Sequence, residues 1–405
     1  MTDESQLDYE PIASHSLMNI AMRPPIVFTE GHGSWLTGRD GREYLDFVQG
    51  WAVNCLGHCP TQIVQAISAQ AARLINPGPA YYNAPAIALA QRLAHSSGLD
   101  RVYFANSGAE ANEGAIKLAR KWGAKYRDGA YRIITMEHAF HGRTLATMSA
   151  SGKPQWSALF EPKVPGFPKV PLNDVDALAA SIDERTVAVM LEPIQGEAGV
   201  IPANDDYLRA VRRIATERGI LLILDEIQTG MGRTGTMYGF QHTGIRPDIM
   251  TLGKGLGGGV PLAALLACEP VCCFEPGDQG GTFNGNPLMT AAGCAVHDAI
   301  AAPGFLEAVG AKGRVLRAGL EALSSRFGLG EVRGRGLLVA LDLNRDLGQA
   351  VVDQAREHGL LINSPRPSLL RFMPALNVSD EEIEQMLDSL QSALESVLIR
   401  MPAPA

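Results

Sequence analysis

The apolar positions of the chain recur with two different spacings along its length. From residue 61 onward, segments with the helical spacing of about 3.6 residues alternate with short apolar runs rich in β-branched residues. The predicted helices lie near residues 61–74, 85–96, 109–126 and 287–301. The predicted strands are Arg101–Phe104, Tyr131–Met136, Thr186–Leu191, Ile220–Leu224, Ile249–Leu252 and Leu262–Ala267. This alternation predicts a mostly parallel sheet covered by helices on both faces.

The pattern changes after Pro303 and Gly304, where a helix, the strand Leu337–Leu343, a helix, the strand Leu369–Phe372 and a last helix follow. Such an order predicts a smaller α+β domain. The last helix begins with a capping-box pattern, Ser379 followed three residues later by Glu382. Residues 1–40, interrupted by glycine and proline, predict an irregular arm with a turn between short strands.

Composition excludes several classes of protein. With 405 residues, 46% of them hydrophobic, the chain can form two or three domains and is not a disordered protein. Its formal charge is −8 and it has no basic run, so nucleic acid is not expected as a partner. Cys55, His58 and Cys59 lie close together in sequence, but no second pair of ligands accompanies them, so no metal site is predicted.

Nothing in the sequence resembles a signal peptide or a membrane span. The chain starts with the acidic segment Met1–Glu4, and no apolar stretch approaches the roughly 20 residues that a bilayer requires. We therefore expect a soluble, cytoplasmic protein without a membrane partner.

Four polar segments directly follow predicted strands, where open parallel sheets bind ligands. Residues 104–113 form a small-residue turn before a long helix; it could bind phosphate, or Ser107 and Glu110 could simply form a capping box. Residues 137–144 include Phe140 and Arg143, which could stack on a ring and bind a carboxylate or belong to a surface turn.

The other two segments end in charged residues. Asp225 and Glu226 follow a buried strand and could bind magnesium, pair with a protonated ring nitrogen or cap a helix. Magnesium-dependent nucleotide hydrolysis is disfavoured because the chain lacks G-x-x-x-x-G-K-[ST]. Lys254 follows another strand among glycines and is either a nucleophile of lowered pKa or an exposed loop lysine.

The segment Gly230–Gly235 matches G-x-G-x-x-G, the pattern of dinucleotide-binding turns. That pattern needs a helix directly after it, whereas residues 236–247 are rich in glycine and contain proline. We interpret the segment as a turn, which disfavours a dehydrogenase.

Taken in order, these segments resemble the class III aminotransferases, pyridoxal 5'-phosphate (PLP) enzymes of fold type I, and most of all their acetylornithine and ornithine aminotransferase branch. The resemblance covers nearly the whole chain and rests on these motifs: Tyr44–Phe47, Leu56–His58, Asn106–Asn112, Phe140–Thr144, Glu192–Glu197, Asp225–Gly230, Lys254, Gly281–Pro287 and Leu370–Phe372. It implies an α/β fold with a large PLP-binding domain at 61–302, which contains a mostly parallel seven-stranded sheet. Residues 303–405 would form the small α+β domain, to which residues 1–60 contribute.

The resemblance also implies cofactor contacts. Lys254 would bind PLP covalently and carry a proton between substrate and cofactor, and Asp225 would pair with the ring nitrogen. Gln228 would bind the ring hydroxyl and Phe140 would stack on the ring.

The phosphate contacts implied by the resemblance involve two subunits. Ser107, Gly108 and Ala109 would hold the phosphate at a helix N-terminus. Thr282 would reach it from the neighbouring subunit, so a homodimer is implied.

For the substrates, the resemblance implies that Arg143 binds a carboxylate of both, and that Arg371 binds the α-carboxylate of glutamate or 2-oxoglutarate. Glu197 would cover Arg371 when the amino donor is bound. Glu192 matches an acid near the cofactor, and Trp51 is expected to shape the slot for the donor side chain. The implied donor is N2-acetyl-L-ornithine; ornithine, succinylornithine, 4-aminobutyrate or another terminal amine are the alternatives.

Overall fold

The computed structural model describes residues 16–156 and 158–400. Residues 1–15, which include the acidic segment Met1–Glu4, lie outside the described residues. The helices are α1 Thr61–Ala71, α2 Ala84–Ser97, α3 Gly108–Tyr126, α4 Leu145–Ala150, α5 Val175–Ser181, α6 Asp205–Glu217, α7 Pro287–Ile300, α8 Phe305–Phe327, α9 Gly348–Glu357 and α10 Asp380–Arg400. Short 3-10 turns lie at Pro154–Trp156, Gly239–Thr243, Lys254–Leu256 and Glu269–Val271.

The strands are distributed along nearly the whole described chain. They are β1 Phe28–His32, β2 Trp35–Gly38, β3 Glu43–Asp46, β4 Arg101–Ala105, β5 Arg132–Met136, β6 Lys169–Val170, β7 Thr186–Leu191, β8 Ile194–Gln195, β9 Ile201–Pro202, β10 Leu221–Asp225, β11 Ile249–Leu252, β12 Ala263–Ala267, β13 Val332–Arg335, β14 Leu338–Asp342, β15 Leu360–Leu361, β16 Asn363–Arg366 and β17 Leu369–Phe372. All six strands predicted before residue 300 are present, with ends that differ by at most one residue.

The central sheet has seven strands in the order β4-β12-β11-β10-β7-β5-β6. Its strands are parallel except β12, which runs antiparallel to both β11 and β4. This confirms the prediction of a mostly parallel seven-stranded sheet. Leu222 and Leu224 of β10 pack in one hydrophobic cluster and Leu221 and Ile223 in another, so both faces are covered. Burial on both faces explains why these strands are apolar at consecutive positions.

The remaining long strands form two four-stranded sheets. One has the order β13-β14-β17-β16, and the other has the order β1-β2-β3-β15. In the second sheet, Leu360 of the C-terminal part pairs with Leu45 of the N-terminal segment. Residues from the two ends of the chain therefore share a sheet, while the division into 1–60, 61–302 and 303–405 stays a prediction.

A left-handed turn at Gln49–Ala52 follows β3. Its φ angles are 49°, 59°, 63° and 64°, in the region that side-chain-bearing residues rarely occupy. The carboxylate of Asp46 supports the turn because its Oδ1 accepts the N–H groups of Val48 at 2.8 Å and Gln49 at 2.9 Å. The turn presents Trp51, which is 54% exposed.

Among the helices of residues 16–156 and 158–400, none has the length and hydropathy that a membrane span requires.

Candidate active site

One cavity of about 260 Å³ lies where β10 and β11 of the central sheet end. It is lined by Gly108, Ala109, Phe140, His141, Gly142, Arg143, Glu192, Glu197, Asp225, Ile227, Gln228 and Lys254. Most of the residues predicted from the strand ends therefore meet in one place. Parallel strands explain this, because their carboxyl ends and the following loops share one edge of the sheet.

Lys254 comes from the 3-10 turn after β11 and has a φ of 43°. Burial lowers the pKa of its amine, while Glu197 and Asp225 raise it. A lysine of lowered pKa is more often deprotonated, and only the deprotonated amine can attack a carbonyl. Lys254 therefore has the position and the chemistry of a nucleophile rather than of an exposed loop lysine.

Asp225 is the last residue of β10, and its buried carboxylate is held by three donors. Its Oδ2 accepts hydrogen bonds from Asn112 Nδ2 and His141 Nδ1, both at 2.8 Å, and its Oδ1 accepts the N–H of Ile227 at 3.1 Å. Asn112 also accepts a hydrogen bond from the Thr251 hydroxyl at 2.7 Å. These contacts fix the carboxylate at the cavity wall. Sequence reasoning did not assign roles to Asn112 and His141, although both lie in the quoted motifs.

Glu192 contacts the backbone of Phe140, whose N–H donates to Glu192 Oε1 at 2.9 Å. Burial raises the pKa of Glu192 to about 7, with His141 lowering it and Asp225 raising it. Burial therefore favours the protonated form of this side chain at higher pH than in an exposed glutamate.

Arg371, on β17, is fully buried and forms an ion pair with Glu197. Its Nη1 donates to Glu197 Oε1 at 2.7 Å and to the Gly196 carbonyl at 2.9 Å, whereas its Nη2 has no partner among the described residues. Burial would raise the pKa of Glu197, but Arg371 holds it at about 2. The cavity thus contains a carboxylate lying on an arginine that keeps an unused donor.

Helix α3 begins next to the cavity. Ser107 is its N-cap, and its Oγ accepts the N–H of Glu110 at 3.3 Å. The reciprocal bond differs from the predicted capping box, since the Glu110 carboxylate accepts the N–H of Asn106 at 2.7 Å. A Cβ on Gly108 would lie 2.7 Å from the Ile227 side chain. The first N–H groups of a helix lack intrahelical acceptors, so this end can bind an anion.

The sequence model of the family "Aminotransferase class-III" matches residues 18–394. The chain belongs to the class-III aminotransferases. It is 59% identical over 394 residues to acetylornithine aminotransferase 2 of Bordetella bronchiseptica, covering 96% of this chain and 100% of the relative. It is 58% identical to the acetylornithine aminotransferase of Ralstonia nicotianae, covering 94% and 97% of the two chains.

Solved structures of ornithine and N-acetylornithine aminotransferases are similar to this fold. The ornithine aminotransferase of Toxoplasma gondii superposes with a TM-score of 0.93 at 31% identity, covering 97% of this chain and 96% of that chain. A second structure of that enzyme, with a TM-score of 0.92 at 31% identity and coverages of 97% and 95%, has partial occupancy of PLP at its active site. The N-acetylornithine aminotransferase of Stenotrophomonas maltophilia has a TM-score of 0.83 at 35% identity, with coverages of 96% and 99%.

Four of the predicted site residues of this class-III aminotransferase do not line the cavity. Ser107 caps α3 and Arg371 contacts Glu197, as described above, whereas Trp51 and Thr282 lie elsewhere. Trp51 lies on the left-handed turn described above. Thr282 is exposed, and its carbonyl accepts a hydrogen bond from Asn76 at 3.3 Å. Both side chains are thus accessible to a second molecule.

Gly230–Gly235 and Glu226, whose patterns suggested a nucleotide site, form contacts within the chain. Gly230–Gly235 forms turns, followed by a 3-10 turn at Gly239–Thr243, and this confirms the interpretation as a turn. The Glu226 carboxylate accepts the N–H groups of Gly239 at 2.8 Å and of Phe240 at 2.7 Å. Backbone N–H groups of the chain itself thus satisfy the Glu226 carboxylate.

Proposed function

We propose that this chain transfers the δ-amino group of N2-acetyl-L-ornithine to 2-oxoglutarate, giving N-acetylglutamate 5-semialdehyde and glutamate, a step of arginine biosynthesis. The observation that carries the proposal is the buried pair of Arg371 and Glu197 beside Lys254. Two substrates with different numbers of carboxylates use one pocket in turn, and an arginine that can be covered serves both. The named acetylornithine aminotransferase relatives support the same donor.

The residues of the cavity fit PLP. The Lys254 amine can bind the cofactor carbonyl, the Asp225 carboxylate can keep the ring nitrogen protonated, and the first N–H groups of α3, at Gly108 and Ala109, can bind the phosphate. When bound, PLP withdraws electrons from the substrate carbon that bears the amine. In that chemistry Lys254 would carry the proton between the substrate carbon and the cofactor, and its lowered pKa would suit it for this exchange.

Further side chains would orient the cofactor. Gln228 donates to the ring hydroxyl, and the Phe140 ring, which packs 5.7 Å from that of Trp156, covers one face of the cofactor. Ser107 and Ala109 hold the phosphate together with the helix N-terminus. Glu192 lies within the same cavity, where its raised pKa lets it hold a proton near the cofactor.

The substrates would be held by two arginines. Arg143 lines the cavity and binds a carboxylate of each substrate, while Arg371 binds the second carboxylate of 2-oxoglutarate. Glu197 lies on Arg371 while the donor is bound and leaves it for the keto acid. Trp51 shapes the slot for the donor side chain.

We further propose a cytoplasmic homodimer in which Thr282 reaches the phosphate site of a second copy. Support comes from the surface around a cavity of about 350 Å³, which includes Tyr81 and Tyr82 and lies next to Thr282. These tyrosines are 71% and 95% exposed, and Phe283 is 62% exposed. Exposed aromatic side chains grouped in this way are typical of protein interfaces.

A different terminal amine is the second candidate donor, and ornithine is favoured among them by the likeness to the Toxoplasma gondii ornithine aminotransferase. Donor choice depends on differences of a few kcal/mol in pocket contacts. Comparison of kcat/KM for acetylornithine, ornithine, succinylornithine and 4-aminobutyrate separates the candidates.

The visible absorption spectrum of the purified protein tests the proposal directly. We expect a cofactor band that disappears when N2-acetyl-L-ornithine is added without a keto acid and returns when 2-oxoglutarate follows. A band that does not respond to this donor would contradict the substrate assignment. A protein that neither carries nor binds PLP would contradict the proposed chemistry.

A further inference from the structure

Lys153 is a second cation next to Glu197, and the proposed function leaves it without a role. Its Nζ lies 3.6 Å from Glu197 Oε2, while Arg371 Nη1 lies 2.7 Å from Glu197 Oε1. The two oxygens of one carboxylate therefore face two different cations. The side chains of Lys153 and Glu197 are 18% and 21% exposed, whereas that of Arg371 is fully buried.

Aromatic rings fix the position of Lys153. Its Nζ lies 4.7 Å from the ring centroid of Phe140 and 5.2 Å from that of Trp156, within the range of cation–π contacts. Lys153 and Trp156 line a groove of about 420 Å³, whereas Phe140 and Glu197, which Lys153 contacts, line the site cavity. A cation held there stays close to Glu197 without occupying the cofactor cavity.

The charges around Lys153 make Glu197 its main acidic neighbour. Burial lowers the pKa of Lys153, Glu197 raises it, and Arg366 and Arg143 lower it. Because Arg366 and Arg143 repel the Lys153 ammonium group, movement of Glu197 toward Lys153 would stabilise that charge. The 3.6 Å contact is longer than the Arg371 contact, so this pair has room to tighten.

Binding of a dicarboxylate substrate to Arg371 leaves Glu197 in need of a second cation. When a substrate carboxylate binds both Nη atoms of Arg371 in a bidentate contact, Glu197 has to leave the Nη1 that it occupies. A mostly buried carboxylate without a cation is strongly destabilised. Rotation of the Glu197 carboxylate toward Lys153 keeps it paired and leaves Arg371 to the substrate.

We propose that Lys153 is a positioning residue that receives Glu197 whenever a dicarboxylate substrate occupies Arg371. This inference rests on the proposed function, in which Glu197 and the keto acid alternate on Arg371. Lys153 then favours the keto-acid half-reaction and leaves the donor half-reaction unaffected, since Glu197 stays on Arg371 while the donor is bound.

Two unreactive ligands measure this difference in the PLP-loaded enzyme. Glutarate has two carboxylates and neither amine nor ketone, and N2-acetyl-L-norvaline resembles the donor without its terminal amine. By titration calorimetry, we expect Lys153→Met to weaken glutarate binding about tenfold, as for loss of a half-buried ion pair. The Kd for acetylnorvaline should change less than about twofold, and Lys153→Arg should restore glutarate binding.

A double-mutant cycle identifies the partner of Lys153. In a Glu197→Gln background no carboxylate has to be received, so Lys153→Met should leave the Kd for glutarate unchanged. A loss of affinity that persists in this background would mean that Lys153 contacts the ligand itself, and an unchanged Kd in the single variant would mean that it receives nothing. Either result overturns the inference.

Lys163→Met is the matched control. Lys163 Nζ donates to the Trp156 carbonyl at 2.7 Å and supports the same segment without contacting Glu197. If this variant weakens glutarate binding as much as Lys153→Met does, loosening of the segment explains the effect and the inference fails.

Arg371→Lys separates failure of this inference from failure of the proposed function. Weaker glutarate binding in Arg371→Lys together with an unchanged Kd in Lys153→Met overturns only the inference. Unchanged glutarate binding in Arg371→Lys contradicts the role of Arg371 and overturns both.

Discussion

At the scale of single residues, Lys254 shows how burial changes what an amine can do. Replacement of Lys254 by alanine removes both the covalent attachment and the proton carrier, so we expect kcat to fall by at least about 10³-fold when no external amine is added. Steady-state kinetics with acetylornithine and 2-oxoglutarate measure this. Lys125→Ala, which removes an exposed lysine next to Tyr126, should retain activity. Retained turnover in Lys254→Ala would contradict the role of Lys254.

Glu192 gives a pH-dependent prediction. Burial raises its pKa in the folded chain from 4.5 to about 7, so the folded state keeps a proton that the unfolded state releases between these pH values. The stabilisation is complete below pH 4.5 and is lost as the pH rises to about 7, a difference of about 3 kcal/mol in the free energy of unfolding.

The variant Glu192→Gln should lack this dependence because its amide does not titrate and still offers an oxygen to the Phe140 N–H. Urea unfolding of the cofactor-free protein at several pH values in this window measures the difference between the two proteins. Parallel pH profiles for both would show that Glu192 is ionised when folded.

The sequence predicted those site residues whose chemical type is distinctive, and it missed residues that hold other site residues in place. Asp225 and Lys254 lie at or just after the ends of apolar strands, and Arg143 lies in the loop that follows β5, so their placement at one edge of the sheet was predictable. The hydrogen bonds of Asn112 and His141 to Asp225 connect residues far apart in sequence, and no local pattern records them. The contact between Lys153 and Glu197 was missed for the same reason.

At the scale of elements, the start of α10 is a local structure that follows directly from the sequence. The Ser379 Oγ accepts the N–H of Glu382 at 3.1 Å, and the Glu382 carboxylate accepts the N–H of Ser379 at 2.8 Å, which confirms the predicted capping box. Ser379→Ala should lower the free energy of unfolding by about 1 kcal/mol. Chemical denaturation measures this, with Ser392→Ala, within the same helix, as a control that should lose nothing.

Length decided only in part which elements were predictable. The predicted long helices show their period over many residues and the predicted strands are short apolar runs, and the structure contains both. Helix α6 has 13 residues and was not among the predicted helices. Helix α4 has six residues and β8 and β9 have two each, too few for a period to appear. Helix α1 ends at Ala71 although the apolar pattern continues to residue 74, which is the usual uncertainty at helix ends.

At the scale of the whole molecule, the site depends on contacts between distant parts of the chain. Ser107 follows β4 and Lys254 follows β11, which are separated in the sheet by β12 alone. Arg371 comes from the sheet near the C-terminus and meets Glu197 from the loop after β8. The fold class could be predicted from the order of the elements. The strand order is known only from the structure. The contact between Arg371 and Glu197 was implied by the resemblance and not by any local pattern.

The proposed dimer is also tested at this scale. Tyr82→Asp places a charge on a side chain that is 95% exposed here and buried in the proposed interface. We expect the variant to sediment as a monomer and to lose PLP more readily, because Thr282 of a second copy no longer reaches the phosphate. Tyr126→Asp, at a tyrosine that is 56% exposed on α3, should remain a dimer. A dimeric Tyr82→Asp enzyme would place the interface elsewhere.

The left-handed turn at Gln49–Ala52 sets stability against activity. A residue with a side chain loses about 1 kcal/mol or more in this conformation, and glycine at position 51 would relieve that strain. The same change would delete the indole proposed to shape the donor slot. Laboratory evolution toward heat resistance would therefore favour Trp51→Gly, whereas selection for growth without arginine would retain tryptophan.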